Sequence, residues 1–279
     1  MRLSQYFTAA DGTRLHFRDS GDTGSRTPLL CLAGLTRHSR DFDPVFDMLA
    51  GQRRVIALDF RGRGLSDKAV DSATYTPVHE KDDTLALLAH LDLARVAILG
   101  TSRGGIVGML MGGLHPQKVA GLMFNDIGPD IEPASLERIR GFVGEDRVFA
   151  SWDAAATALG GSALGFHNVS HGQWLVVAQR IFIERGGRPA TSHDTRLIDT
   201  FPTDASQVAD LWPVFKMIPP MPLALLRGTG SDLLGLATAN KMQQARPDLL
   251  WTEIPDRGHV PFLDEALSIT AMKAWLALC

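Results

Sequence analysis

Val96-Ala97-Ile98-Leu99-Gly100-Thr101-Ser102-Arg103-Gly104-Gly105 is the stretch whose reading decides the fold. A short apolar run with β-branched residues meets glycines, and residues 106–114 continue at helical spacing, so the segment reads as strand, sharp turn, helix. Ser102 sits where the chain reverses. A turn of this kind holds its central residue at a strained backbone angle and accepts only small neighbours. Gly100 and Gly104, two residues before and two after the serine, supply that room. The hydroxyl is expected to stand clear of the sheet, with the next amides pointing outward at a helix N-terminus. In a chain with 27 glycines a Gly-x-Ser-x-Gly match alone is weak, and an ordinary glycine-rich turn would produce it. The strand before it and the helix after it are what favour a reactive serine.

Outward from this unit the same alternation repeats. Residues 28–33, 54–58, 119–124 and 222–227 are short, nearly continuous apolar runs, the pattern of strands buried on both faces. Helical spacing occupies 42–49, 78–91 and 237–245, and a closing helix covers about 264–278 after a last strand near 249–254. Residues 6–9 and 15–17 flank Asp11-Gly12 as a hairpin. Strands alternating with helices predict an α/β fold with a mostly parallel sheet covered on both sides. The alternation stops between residues 127 and 217. Helical patterns at 136–143, 154–159 and 173–184 fill this region, punctuated by Gly160-Gly161, Gly186-Gly187 and Pro202. It reads as a helical cap over a core formed by 1–126 and 218–279. Its aromatics (Phe142, Phe149, Trp152, Phe166, Trp174, Phe182, Trp212, Phe215) are expected mainly to pack the cap, with a few facing a substrate.

Composition bounds the function. The 279 residues, 45% of them hydrophobic, suffice for one domain with an insertion. A formal net charge of −3 argues against nucleic-acid or anionic-membrane partners and leaves a small molecule as the expected one. No apolar run approaches the roughly 18 residues of a membrane span. The first residues lack the apolar core of a secretory signal, and the two cysteines, Cys31 and Cys279, suggest neither a disulfide framework nor a metal site. A cytoplasmic protein without metal or cofactor is expected. Oligomeric state is not legible.

A serine hydroxyl needs an adjacent base. Of nine histidines, His259 lies in a Gly-preceded loop after the last strand, at the carboxyl end where reactive groups of such sheets gather. His38 follows another strand and is the competitor. His16, His79, His90, His115, His167, His171 and His193 fall in helices, mid-strand or the cap. The base in turn needs a carboxylate to fix its tautomer. Asp232, after the strand at 223–227, and Asp126, after the strand at 119–124, both satisfy a Ser…Asp…His order. Asp232 is preferred because its strand directly precedes the one that delivers His259, and Asp126 is the alternative acid.

Together, Gly100-Thr101-Ser102-Arg103-Gly104-Gly105, Asp59-Phe60-Arg61-Gly62-Arg63-Gly64-Leu65-Ser66-Asp67, the loop before Asp232, and Gly258-His259 resemble the α/β-hydrolase superfamily over almost the whole chain. The resemblance implies an eight-stranded sheet, a cap inserted after the sixth strand, and a Ser102–Asp232–His259 triad. It also implies an oxyanion hole from the backbone amides of Leu35 and Arg103. Ala33-Gly34 stands where the family usually has His-Gly, which removes a side-chain brace but not the amide. The glycine-rich 59–67 segment lacks a Walker-type ending, so it reads as a tight crossover with Arg61 tying loops together and not as a phosphate cradle. The implied activity is hydrolysis of small to medium carboxylic esters through an acyl-serine. Alternatives are a lactonase or C–C hydrolase acting on a carboxylate-bearing ketone, with Arg103, Arg138, Arg180 or Arg188 as anchor, and a small-molecule receptor with negligible turnover.

Overall fold

The computed structural model describes residues 2–22, 24, 26–203 and 207–279. The apolar runs assemble into one eight-stranded sheet. Its strands are β1 (Leu3–Thr8), β2 (Arg14–Asp19), β3 (Leu29–Leu32), β4 (Val55–Leu58), β5 (Val96–Thr101), β6 (Val119–Asn125), β9 (Leu223–Gly228) and β10 (Leu250–Ile254). Their spatial order is β1-β2-β4-β3-β5-β6-β9-β10. The first two pairings, β1 with β2 and β2 with β4, are antiparallel, and every later one is parallel. The chain therefore carries the α/β-hydrolase fold that its sequence resembles.

Strand alternation divides the core into two layers. Leu30, Leu32, Ile56, Ile98, Leu122, Phe124 and Leu225 face one side. There they meet α2 (Pro77–His90), α3 (Arg103–Leu114), α7 (Trp212–Met217) and α8 (Leu236–Ala245) through Leu87, Val107, Met111, Phe215 and Met242. Leu29, Cys31, Ala57, Leu99, Met123 and Leu226 face the other, against α1 (Asp43–Met48) and α9 (Ala266–Leu276) through Phe46, Met272 and Trp275. Each fully buried large aliphatic side chain contributes roughly 1.5–3 kcal/mol of transfer free energy, so this two-sided burial is what makes parallel strands viable here.

The segment after β6 leaves the sheet as α4 (Pro133–Val143), α5 (Trp152–Ser162) and α6 (His171–Ile181). Ala155, Ala156 and Ala178 are fully buried in the cap's own cluster with Phe182. A capping box between Ser170 and Gln173 starts α6, satisfying two otherwise unpaired amides. Two features differ from the sequence reading. A short hairpin, β7 (Ile183–Arg185) with β8 (Arg188–Ala190), sits in the cap, turned by Gly186 and Gly187, both at positive φ. Three-residue strands are too short to show a period of two, and the apparent helical pattern ran into them. The last helix of the inserted segment packs into the main core. Trp212 and Phe215 on α7 join the main core, because the apolar face of this six-residue helix is covered by α3 and by Phe124 of β6.

Candidate active site

The turn after β5 is as tight as its glycines suggest. Ser102 adopts φ 50° and ψ −117°, a strained conformation for a residue with a side chain. A Cβ on Gly104 would lie 2.0 Å from the Leu32 carbonyl oxygen, and one on Gly100 would lie 2.5 Å from the Gly104 oxygen. Only glycine lets the start of α3 press against both β5 and the end of β3. The hydroxyl is thereby presented at the N-terminus of α3, where the first amides have no acceptor within the helix.

His259 reaches the same point from the loop after β10. Its Nε2 lies 3.0 Å from Ser102 Oγ, within proton-transfer reach. Its Nδ1 lies 2.8 Å from Asp126 Oδ2. This corrects the preferred acid, Asp232: the carboxylate against the imidazole is Asp126. The sheet order gives the reason. β6 lies between β5 and β9, and Asp126 is the residue immediately after β6, fully buried with φ 58°. Gly228 N–H donates to its Oδ1 at 2.9 Å, and Ser231 Oγ–H donates to its Oδ2 at 2.6 Å. Three bonds hold the carboxylate in one orientation. Asp232 lies four residues past the end of β9; Ser231 before it turns to Asp126, while Asp232 lines the cavity away from the imidazole. There it accepts from Arg138 of the cap, Nε at 2.9 Å and Nη2 at 2.5 Å. Immediate adjacency to a strand end, shared by Ser102 and Asp126, was the overlooked signal.

The competing base is elsewhere. His38 is buried, its Nε2 3.1 Å from the Ile181 carbonyl, and burial pushes its pKa below the ordinary value. Leu35 lines a cavity of about 240 Å³ beside Ser102 and His259, and its loop is closed by an Arg37 N–H to Gly34 carbonyl bond of 3.1 Å. Arg103 N begins α3. The Arg103 side chain turns to Glu80 and the Tyr75 carbonyl, at 2.6 and 3.0 Å. Cap residues Ile139, Phe142, Leu159, Phe166, Trp174 and Phe182 supply much of the apolar wall. Of the cap arginines considered as carboxylate anchors, Arg138 lines this cavity and is paired with Asp232. Arg180 pairs with Asp264, and Arg188 donates to the Phe149 carbonyl. Among the described residues there is no cluster of side chains able to hold a metal ion, and no helix long and apolar enough to cross a membrane. A buried carboxylate, an imidazole and a strained serine in a hydrogen-bonded line, opening on an apolar cavity, form an arrangement suited to acyl transfer.

Comparison with known proteins agrees with this fold. A family model described as the alpha/beta hydrolase fold matches residues 27–266. The chain is 32% identical over 263 residues to a 3-hydroxybutyrate-oligomer hydrolase of Cupriavidus necator, covering 91% of this chain and 89% of the relative. It is 25% identical over 256 residues to a 2-(acetamidomethylene)succinate hydrolase of Mesorhizobium japonicum, covering 91% and 88%. A crystal structure of an alpha/beta hydrolase from Novosphingobium aromaticivorans superposes with a TM-score of 0.93 at 42% identity, over 100% of this chain and 99% of the other. With sheet order, strand-to-helix turn and full-length likeness in agreement, this chain belongs to the α/β-hydrolase family.

Proposed function

We propose that the protein is a serine hydrolase of small to medium carboxylic esters, with Ser102 as nucleophile, His259 as base and Asp126 as orienting acid. The observation that carries this reading is the unbroken Asp126–His259–Ser102 line of hydrogen bonds at 2.8 and 3.0 Å, ending at a cavity of about 240 Å³. Ser102 Oγ attacks the ester carbonyl as His259 Nε2 takes its proton, and the backbone amides of Leu35 and Arg103 receive the developing oxyanion. The intermediate collapses to an acyl-serine, and the departing alcohol takes the proton from His259. Water, deprotonated by the same imidazole, then attacks the acyl group, releasing the acid and restoring the Ser102 hydroxyl. Asp126 keeps Nδ1 protonated and offsets the imidazolium charge. Each oxyanion donor is worth on the order of 3 kcal/mol of barrier.

Likeness to a 3-hydroxybutyrate-oligomer hydrolase supports short hydroxyacyl oligoesters as the substrate class. Pairing of Arg138 with Asp232 weighs against a carboxylate-anchored C–C hydrolase, because that chemistry needs an uncompensated cation in the pocket. The free thiols of Cys31 and Cys279 suit a reducing cytoplasm, with a small molecule as the partner. The test is a turnover series on 3-hydroxybutyrate dimers and trimers, p-nitrophenyl esters of increasing acyl length, lactones and vinylogous diketones. The specificity constant is expected to rise about fourfold per methylene, from roughly 0.8 kcal/mol of burial, until the pocket is full. Turnover confined to carboxylate-bearing ketones would contradict the ester reading, and saturable binding without turnover of any substrate would mark a receptor.

A further inference from the structure

Behind the site lies a buried ionic group that the chemistry above does not use. Arg63 and Glu80 are both fully buried, and Arg103 is largely so. Glu80 Oε2 accepts from Arg103 Nε at 2.6 Å. Its Oε1 lies 2.8 Å from Arg63 Nη2, off the axis of a regular hydrogen bond. Burial drives the Glu80 carboxyl upward, but the two guanidiniums more than offset this and hold it below its ordinary value. Arg63 then donates through Nε to the Leu35 carbonyl at 2.8 Å and through Nη1 to the Arg61 carbonyl at 2.7 Å. The chain of contacts thus runs from the residue after the nucleophile to the loop residue on the opposite side of the cavity. Both ends are the residues whose amides face the oxyanion in the ester-hydrolysis reading, on which this inference rests.

We infer that Arg63, Glu80 and Arg103 form a positioning network that sets the spacing and tilt of the Leu35 and Arg103 backbone amides. The three side chains touch no substrate. Their effect is confined to the oxyanion, where a misplacement of a few tenths of an ångström weakens a hydrogen bond that forms fully only in the transition state. Two buried cations around one buried anion suit this purpose: the carboxylate is bound from both sides, and loss of either side frees one segment.

The test reads transition-state binding separately from substrate binding. Arg103→Met removes one cation, leaves the Arg63–Glu80 pair neutral, and sits at the more accessible end of the network. It is expected to lower kcat 10- to 100-fold with KM changed less than threefold, and to weaken an alkyl boronic acid, whose tetrahedral serine adduct occupies the oxyanion site, by the same factor. Arg103→Lys should recover most of both. Glu80→Gln should show the same parallel loss if it folds. Asp19→Asn, which breaks a largely buried pair with Arg54 that contacts neither segment and no member of the network, should lower Tm without this parallel. Unchanged kcat and boronate affinity in Arg103→Met, or a rise in KM alone, would overturn the network. A wild-type protein that neither cleaves esters nor binds the boronate would instead overturn the ester reading beneath it.

Discussion

Among the described residues, two lines of serine, histidine and aspartate are nearly superposable as hydrogen-bond patterns. One is Ser102–His259–Asp126, at 3.0 and 2.8 Å. The other is Ser4–His16–Asp59, at 2.7 and 2.7 Å. Each aspartate is fully buried and takes further bonds, Asp59 from the amides of Ser39 and Leu65 at 2.6 and 3.0 Å. By contact distance alone the second line is the tighter one. The difference lies in what surrounds the serine. Ser4 stands on the extended edge strand β1, on the exposed surface, paired only with β2. Ser102 stands at a positive φ, at a helix N-terminus, opposite the Leu35 loop and inside a cavity. A base makes a serine nucleophilic, but the barrier falls mostly through donors aimed at the oxyanion and a site that holds the ester. On this account the Ser4 line ties β1 and β2 to the loop after β4, and the Ser102 line performs the chemistry.

Substitutions at the two lines should separate them sharply. Ser102→Ala is expected to lower ester kcat by about 10⁶-fold with circular dichroism unchanged, the scale seen when a triad nucleophile is removed. Ser4→Ala should keep kcat within twofold. Comparable losses in the two variants would contradict this difference in role.

The acids sharpen the contrast. Asp126→Asn should cost about 10⁴-fold in kcat, because an amide stabilises the wrong imidazole tautomer. Asp232→Asn should cost less than tenfold, since Asp232 faces Arg138 and not the imidazole. The reverse ranking in one assay would route the triad through the loop after β9. Arg138→Met is expected to lower ester turnover less than tenfold. A hundredfold loss seen only with carboxylate-bearing ketones, and not with 3-hydroxybutyrate dimers, would favour C–C hydrolysis.

What the sequence made legible follows from these same particulars. The buried strands, the turn at Ser102 and the loop that carries His259 sit in local patterns, an apolar run followed by glycine and a chemically capable side chain, that need no tertiary information. The acid is less legible: Asp126 and Asp232 both follow strands, and immediate adjacency to the strand end, the one local signal that separates them, acquires its meaning only from the placement of β6 between β5 and β9. The Arg63–Glu80–Arg103 network joins a crossover loop, a helix and the turn, and nothing in the spacing of three charged residues announces that they meet. Trp212 and Phe215 were grouped with the cap because an aromatic residue reads the same whichever core it enters.

A smaller effect concerns pH. Burial lowers the pKa of His38 and also of His193, which lines the cavity. The unfolded chain binds protons near pH 6.5, where the native histidines do not, so stability is fully present above about that pH. It falls as the solution is acidified through this value toward the lower native pKa values. Tm is therefore expected to decline between pH 7 and 5. His38→Gln, whose amide can still donate to the Ile181 carbonyl, should make that decline shallower. An unchanged slope would mean that His38 is protonated equally in both states.

Covalent labelling by a fluorophosphonate, located by peptide mass spectrometry, reports which serine is activated without reference to any substrate. The account predicts one label per chain, on Ser102, absent from Ser102→Ala and strongly slowed in Asp126→Asn, with Ser4 unmodified throughout. Labelling of Ser4, or full labelling retained in Ser102→Ala, would contradict it.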